Sequence, residues 1–95
     1  MEEEKTASRT CRLNNKLGLH ARPASVLARK ANEFEAEIRI ALADGGEEVN
    51  AKSIMEIMML AAECGAELHV TAKGEDAEEA LDAIEQHLTN NFGEE

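Results

Sequence analysis

The chain has no tryptophan, no tyrosine and only two phenylalanines. Aromatic platforms on which bases could stack are therefore not expected. Positive charge is scarce as well. Ten Lys and Arg stand against 20 Asp and Glu, giving a formal net charge of −10 and a pI of about 4.7. A general nucleic-acid binder needs basic surface to displace counterions from phosphates, and adhesion to anionic lipid needs it too. Both classes are excluded as partners. No apolar run approaches the roughly 20 residues that cross a bilayer, so no membrane insertion is expected. The two cysteines, Cys11 and Cys64, form neither a CxxC pair nor a zinc spacing. Free thiols follow, and no metal or cofactor site is expected. Met1-Glu2-Glu3-Glu4-Lys5 is acidic where a secretory leader is basic and then apolar. The expected location is cytoplasmic.

What the chain does have is 95 residues, 43% of them hydrophobic. That is enough for one small core and too little for an enclosed active-site cavity. We expect a single domain over residues 1–95, with 1–6 and 93–95 flexible. A site must then lie on the surface or at the end of an element.

The hydrophobic pattern changes period along the chain. Residues 8–14 alternate, with Arg9, Cys11 and Leu13 on one side, which predicts a strand. Ala24, Leu27, Ala28, Ala31 and Phe34 recur at helical spacing from Ala21 onward. The single proline, Pro23, falls in the first turn, where a missing N–H costs nothing. Residues 36–42 alternate again, with Ala36, Ile38, Ile40 and Leu42 inward. Asp44-Gly45-Gly46 is a turn signal that predicts a hairpin into a short strand near Glu47–Ala51. Ser53 and Glu56 have the spacing of a capping box that opens a helix to about Cys64, with Gly65 as its closing residue. Ala66, Leu68, Val70 and Ala72 form the inward set of another strand. Asp76 reads as the N-cap of a last helix through about Asn90, with Ala77, Ala80, Leu81, Ile84 and Leu88 on one face. The order β-α-β-β-α-β-α, with one apolar face per element, predicts an α+β open-faced sandwich. It has a four-stranded, mainly antiparallel sheet and three helices on one side.

One segment carries chemistry. In Gly18-Leu19-His20-Ala21-Arg22-Pro23-Ala24 a strand has ended, and a histidine arrives immediately before a helix. The first N–H groups of a helix lack intrahelical partners and stabilise an anion. Arg22 adds a planar, permanently charged fork suited to phosphate oxygens. Histidine is a competent nucleophile near neutral pH. The combination suits a phosphorylated His20 whose oxygens are neutralised by backbone amides and Arg22.

Asn15-Lys16-Leu17-Gly18-Leu19-His20-Ala21-Arg22-Pro23-Ala24 closely resembles the active-site segment of the HPr-type phosphocarriers of the bacterial phosphotransferase system. A second family segment follows as Asn50 to Leu60, and a weaker third as Lys73-Gly74-Glu75-Asp76. The resemblance covers residues 7 to 92. It implies that phospho-enzyme I passes a phosphoryl group to Nδ1 of His20, which then donates it to a histidine of an enzyme IIA protein. Arg22 would steady the group and Pro23 would fix the start of the helix. The protein would be a monomeric covalent intermediate and not a free-standing catalyst. The resemblance also implies that HPr kinase/phosphorylase could phosphorylate Ser53. Glu56 departs from the glycine usual in regulated carriers, so Ser53 as a cap alone stays open. Asn15-Lys16-Leu17-Gly18 and the ending Asn91 to Glu95 look like the nitrogen-related branch, NPr, whereas Lys52-Ser53-Ile54-Met55 looks like sugar-branch HPr.

Ile54, Met55, Ile57, Met58, Met59 and Leu60 cover too much of a short helix to be buried together. Ile57 and Leu60 are expected inward. Ile54, Met55 and Met58 are expected to form an exposed patch beside His20 for docking partners, while Met59 fits either side. Lys16, Arg22, Arg29, Lys30 and Lys52 are expected as a local basic patch in the acidic chain, with Arg29 contacting partners. The rival reading is a regulatory binding module that uses the Ile54–Met58 patch alone. A hydrolase has little support, since no carboxylate pair is spaced to serve His20. His69 and His87 read as ordinary surface residues and Cys11 as core.

Overall fold

The computed structural model describes residues 5–90. Seven elements follow in the order β1 (Thr6–Arg12), α1 (Ala21–Ala31), β2 (Glu37–Leu42), β3 (Val49–Asn50), α2 (Ile54–Met59), β4 (Glu67–Lys73) and α3 (Ala77–Thr89). The sheet order is β1-β4-β2-β3, and every neighbouring pair is antiparallel. Period-2 patterning decided which face is buried. Cys11, Leu13, Ile38, Ile40, Leu68, Val70 and Ala72 join Leu27, Ala31, Ile57, Leu81, Ile84 and Leu88 in one core between sheet and helices. The α+β open sandwich is the fold that the alternation implied.

Several local expectations are corrected. Residues 1–4 and 93–95, expected to be flexible, lie outside the described residues. Thr6 belongs to the sheet, pairing with Lys73, and the Lys5 carbonyl accepts the Gly74 N–H at 2.8 Å. The Asp44-Gly45-Gly46 turn is real, but the strand after it is only Val49–Asn50, paired with Arg39 and Ile40. Glu47 and Glu48 are exposed acids with little drive to pair. Ala41, which strict alternation over residues 36–42 would turn outward, is buried. His69 lies directly opposite it on β4, its ring hydrogen-bonded to the Thr10 hydroxyl at 3.3 Å.

Helix α2 stops at Met59, well short of Cys64, and Ala61 rather than Gly65 takes the left-handed position that ends it, with φ 53°. The chain turns there because Ala62 is buried and its carbonyl accepts the Leu19 N–H at 3.0 Å. Asp76 is the N-cap residue of α3 as expected, but its side chain makes no cap hydrogen bond. Its carboxylate instead accepts the Glu35 and Ala36 N–H groups at 2.9 and 2.8 Å, tying the start of α3 to the loop before β2. Arg9 reaches from β1 to Asp82 and Glu85 of α3 at 2.6 and 2.7 Å.

Helices α1 and α2 run antiparallel. Asn32, at the end of α1, donates to the Lys52 carbonyl just before α2 at 3.1 Å. The end of α2 leads to Ala62, which holds the residue before His20. This crossing places the candidate site.

Candidate functional site

His20 is the N-cap residue of α1, with extended backbone (φ −83°, ψ −170°) and no side-chain cap bond of its own. Its carbonyl accepts the Ala24 N–H at 2.9 Å. Pro23 has no N–H and is buried against the core. The first-turn amides left over are those of Ala21 and Arg22, and no acidic residue occupies that turn. This terminus therefore offers two N–H groups and an uncompensated positive helix end to an anion. Arg22 is exposed. His20 is half-buried, and its Nε2 is buried.

The loop that delivers His20 is held tightly. Gly18 donates its N–H to the Asn15 carbonyl at 3.2 Å, closing a turn. The Asn15 side-chain amide donates to the Gly18 carbonyl at 2.6 Å. The same carbonyl accepts the His20 N–H at 3.0 Å. Gly18 has φ +71°, and a Cβ there would overlap the Ala62 carbonyl oxygen. Glycine is thus required twice over, for conformation and for space. Asn15 is the buried polar side chain of the described residues, and its Oδ1 has no hydrogen-bond partner among them. An orphaned buried acceptor costs about 1–3 kcal/mol. The sequence marked Asn15 only as part of a motif.

The apolar helix surface is as exposed as the circumference argument requires. Ile57 and Leu60 are buried. Ile54 and Met58 are exposed, as are Met55 (77%) and Met59 (75%). Because α2 runs antiparallel to α1, its Met58–Met59 end approaches the His20 loop, whereas Ile54 and Met55 start at the Asn32–Lys52 junction. Leu17, at 77% exposure in the His20 loop, extends this apolar surface and was missed in the sequence. Its position beside the glycine turn was the available signal.

The basic patch divides into two. Lys16 and Arg22 flank His20 in sequence. Arg29 and Lys30 occupy the last turn of α1, and Arg29 lies about 13 Å along the axis from His20 at 1.5 Å per residue. Lys30 pairs with Glu33 at 3.0 Å, and Lys52 Nζ donates to the Phe34 carbonyl at 2.8 Å. The second group therefore surrounds the start of α2, not His20.

Ser53 is the N-cap of α2, and its hydroxyl accepts the Glu56 N–H at 3.2 Å. The other half of the predicted capping box is absent. The Glu56 carboxylate accepts the Asn50 N–H at 2.9 Å, and the Ser53 N–H goes to the Asn50 carbonyl at 3.1 Å. The two-residue β3 leaves the Asn50 amide in need of an acceptor, and Glu56 supplies it. His87 is part-buried in α3; burial and, second, nearby Lys30 lower its pKa. Burial raises that of the Cys11 thiol, in keeping with an inert core cysteine.

A family model described as "PTS HPr component phosphorylation site" matches residues 7–90. The phosphocarrier protein HPr of Treponema pallidum is 44% identical over 87 residues, covering 92% of this chain and 97% of that one. The multiphosphoryl transfer protein of Vibrio cholerae is 43% identical over 86 residues; the match covers 90% of this chain and 22% of that longer one. Among solved structures, HPr-C-His from Thermoanaerobacter tengcongensis superposes with a TM-score of 0.87 at 39% identity, covering 94% of this chain and 98% of that one. HPr from Bacillus anthracis gives 0.82 at 42% identity, covering 87% and 96%. With a matching fold and a histidine at the N-cap of α1, the chain belongs to the HPr family of phosphocarriers of the phosphotransferase system.

Proposed function

We propose that this chain accepts a phosphoryl group on His20 from phospho-enzyme I and donates it to a histidine of an enzyme IIA protein, as a cytoplasmic monomer. The observation that carries the reading is the position of His20 as N-cap of α1, beside the unused Ala21 and Arg22 amides. The burial of Nε2 supports Nδ1, the atom the family resemblance implies, as the acceptor. In each transfer the Nδ1 lone pair forms the new P–N bond as the bond to the donor breaks, and donation reverses this. The phosphoryl oxygens gain charge-assisted hydrogen bonds from the two amides and Arg22. Pro23 keeps the first turn from shifting. Leu17, Ile54, Met55, Met58 and Met59 form the docking surface, with Arg29 at its far margin. Exposed apolar groups at this density mark a contact surface.

The test is incubation with enzyme I and phosphoenolpyruvate, followed by intact-mass analysis. The expected product is one acid-labile phosphoryl group, absent in His20→Ala. No uptake would overturn the carrier reading and favour the regulatory binding module. Relative transfer rates to sugar-type and nitrogen-type enzyme IIA assign the branch. For Ser53, the hydroxyl already serves as a cap and Glu56 is turned toward Asn50. Incubation with HPr kinase/phosphorylase and ATP should give an acid-stable adduct if the site is regulatory, and none if capping is its sole duty.

A further inference from the structure

We propose that Asn15 is a positioning residue for phosphoryl transfer at His20, an inference that rests on the carrier reading above. The Gly18–Leu19 peptide is the last flexible unit before His20, since a glycine at positive φ lets its following peptide plane turn at small cost. That plane is clamped at both ends. Its carbonyl accepts the Asn15 side-chain N–H at 2.6 Å, and its N–H donates to the Ala62 carbonyl at 3.0 Å. The clamped carbonyl also accepts the His20 N–H at 3.0 Å. Turning of this peptide would therefore move the imidazole relative to the Ala21 and Arg22 amides.

Stability alone does not explain asparagine here. The side chain is fully buried, as are the neighbouring Leu13 and Leu19. Its Oδ1 finds no partner among the described residues. A leucine of similar size would leave no polar atom orphaned. The one thing asparagine supplies that leucine cannot is the N–H to Gly18. Unlike His20 and Arg22, Asn15 never touches the phosphoryl group, so its effect runs through the geometry of His20.

The test compares wild type with Asn15→Leu, Asn15→Asp and Asn15→Ala in transfer from phospho-enzyme I. Each variant is also followed by thermal melting and by NMR of the His20 ring and the Leu19 and His20 amides. Asn15→Leu and Asn15→Ala remove the donor, and Asn15→Asp keeps the shape and removes it in the ionised form. We expect kcat to fall about 10–100-fold, the scale of a small misplacement of a reacting group. KM for enzyme I should stay within about twofold, because the docking surface is untouched. We also expect faster exchange of the His20 amide and broadened or doubled ring signals. Asn15→Leu should melt no lower than Asn15→Asp yet transfer as slowly, an outcome that a merely structural role would not give. Folded variants that transfer at the wild-type rate, or lose only KM, would overturn the inference while leaving the carrier reading intact. Should Asn15→Leu not fold, Asn15→Ala and Asn15→Asp decide by the same rates. A wild type that takes up no phosphoryl group overturns both.

Discussion

Gly18→Ala is the substitution in which conformation and space can be separated. The added Cβ would overlap the Ala62 carbonyl oxygen and come within 3.0 Å of Glu63 Cα. Both neighbours are backbone and cannot swing aside. The left-handed φ of +71° costs an L-residue about 1–2 kcal/mol. Overpacking against fixed atoms adds about 1–3 kcal/mol, with the Leu19–Ala62 hydrogen bond the first to lengthen. Together these predict a loss of about 2–5 kcal/mol. Gly65 is the internal control. Its φ is +91°, but nothing lies within 4 Å of the place an added methyl would take, so Gly65→Ala should cost about 1–2 kcal/mol, the conformational part alone. For a domain of this size each kcal/mol lowers the melting point by about 4–8 °C. The assay is circular dichroism at equilibrium in urea and on heating, because a chain without Trp or Tyr offers no useful fluorescence. Strain alone predicts equal losses at the two glycines, and equality within about 0.5 kcal/mol would refute the argument from close approach.

Two other perturbations probe the fold and the proposed docking surface. In Asp76 the N–H of Glu35, and then that of Ala36 against opposing desolvation, hold the carboxyl pKa below 3.8. A depressed folded-state pKa stabilises above the unfolded value and is lost as pH falls through the folded one. Asp76→Ala should therefore melt lower than wild type at pH 7, and the gap should close in strong acid; a gap independent of pH would show the contact to be electrostatically idle. Met55→Asp and Met59→Asp place charge on side chains that are 77% and 75% exposed. Folding should change by less than about 1 kcal/mol, while KM for enzyme I rises at least about tenfold with kcat little altered. An unchanged KM at both positions would remove α2 from the docking surface.

The architecture was legible in the chain's own pattern, and the same pattern carries the proposal for His20. Alternation at residues 36–42 and 66–73 and helical spacing at Ala24, Leu27, Ala28 and Ala31 are one-dimensional signals. Burial of apolar groups forces them into a single layered arrangement. The motif around His20 and the lone proline pointed in the same way to the start of α1, where the structure places His20 as N-cap. Contacts between groups distant in the chain emerged only on folding. Asp76 has the right residue type for a cap, yet it bonds to Glu35 and Ala36, because the loop before β2 brings two free N–H groups within reach. Glu56 has the right spacing for a capping box, yet it serves Asn50, whose strand is too short to satisfy it. Arg29, Lys30 and Lys52 were close to the key segments in sequence, but the antiparallel crossing of α1 and α2 puts them at the opposite end from His20. The grip on the Gly18–Leu19 peptide needs Ala62 from beyond α2. Local residue types fix which groups need a hydrogen bond or burial, and the folded chain alone settles which distant group provides it.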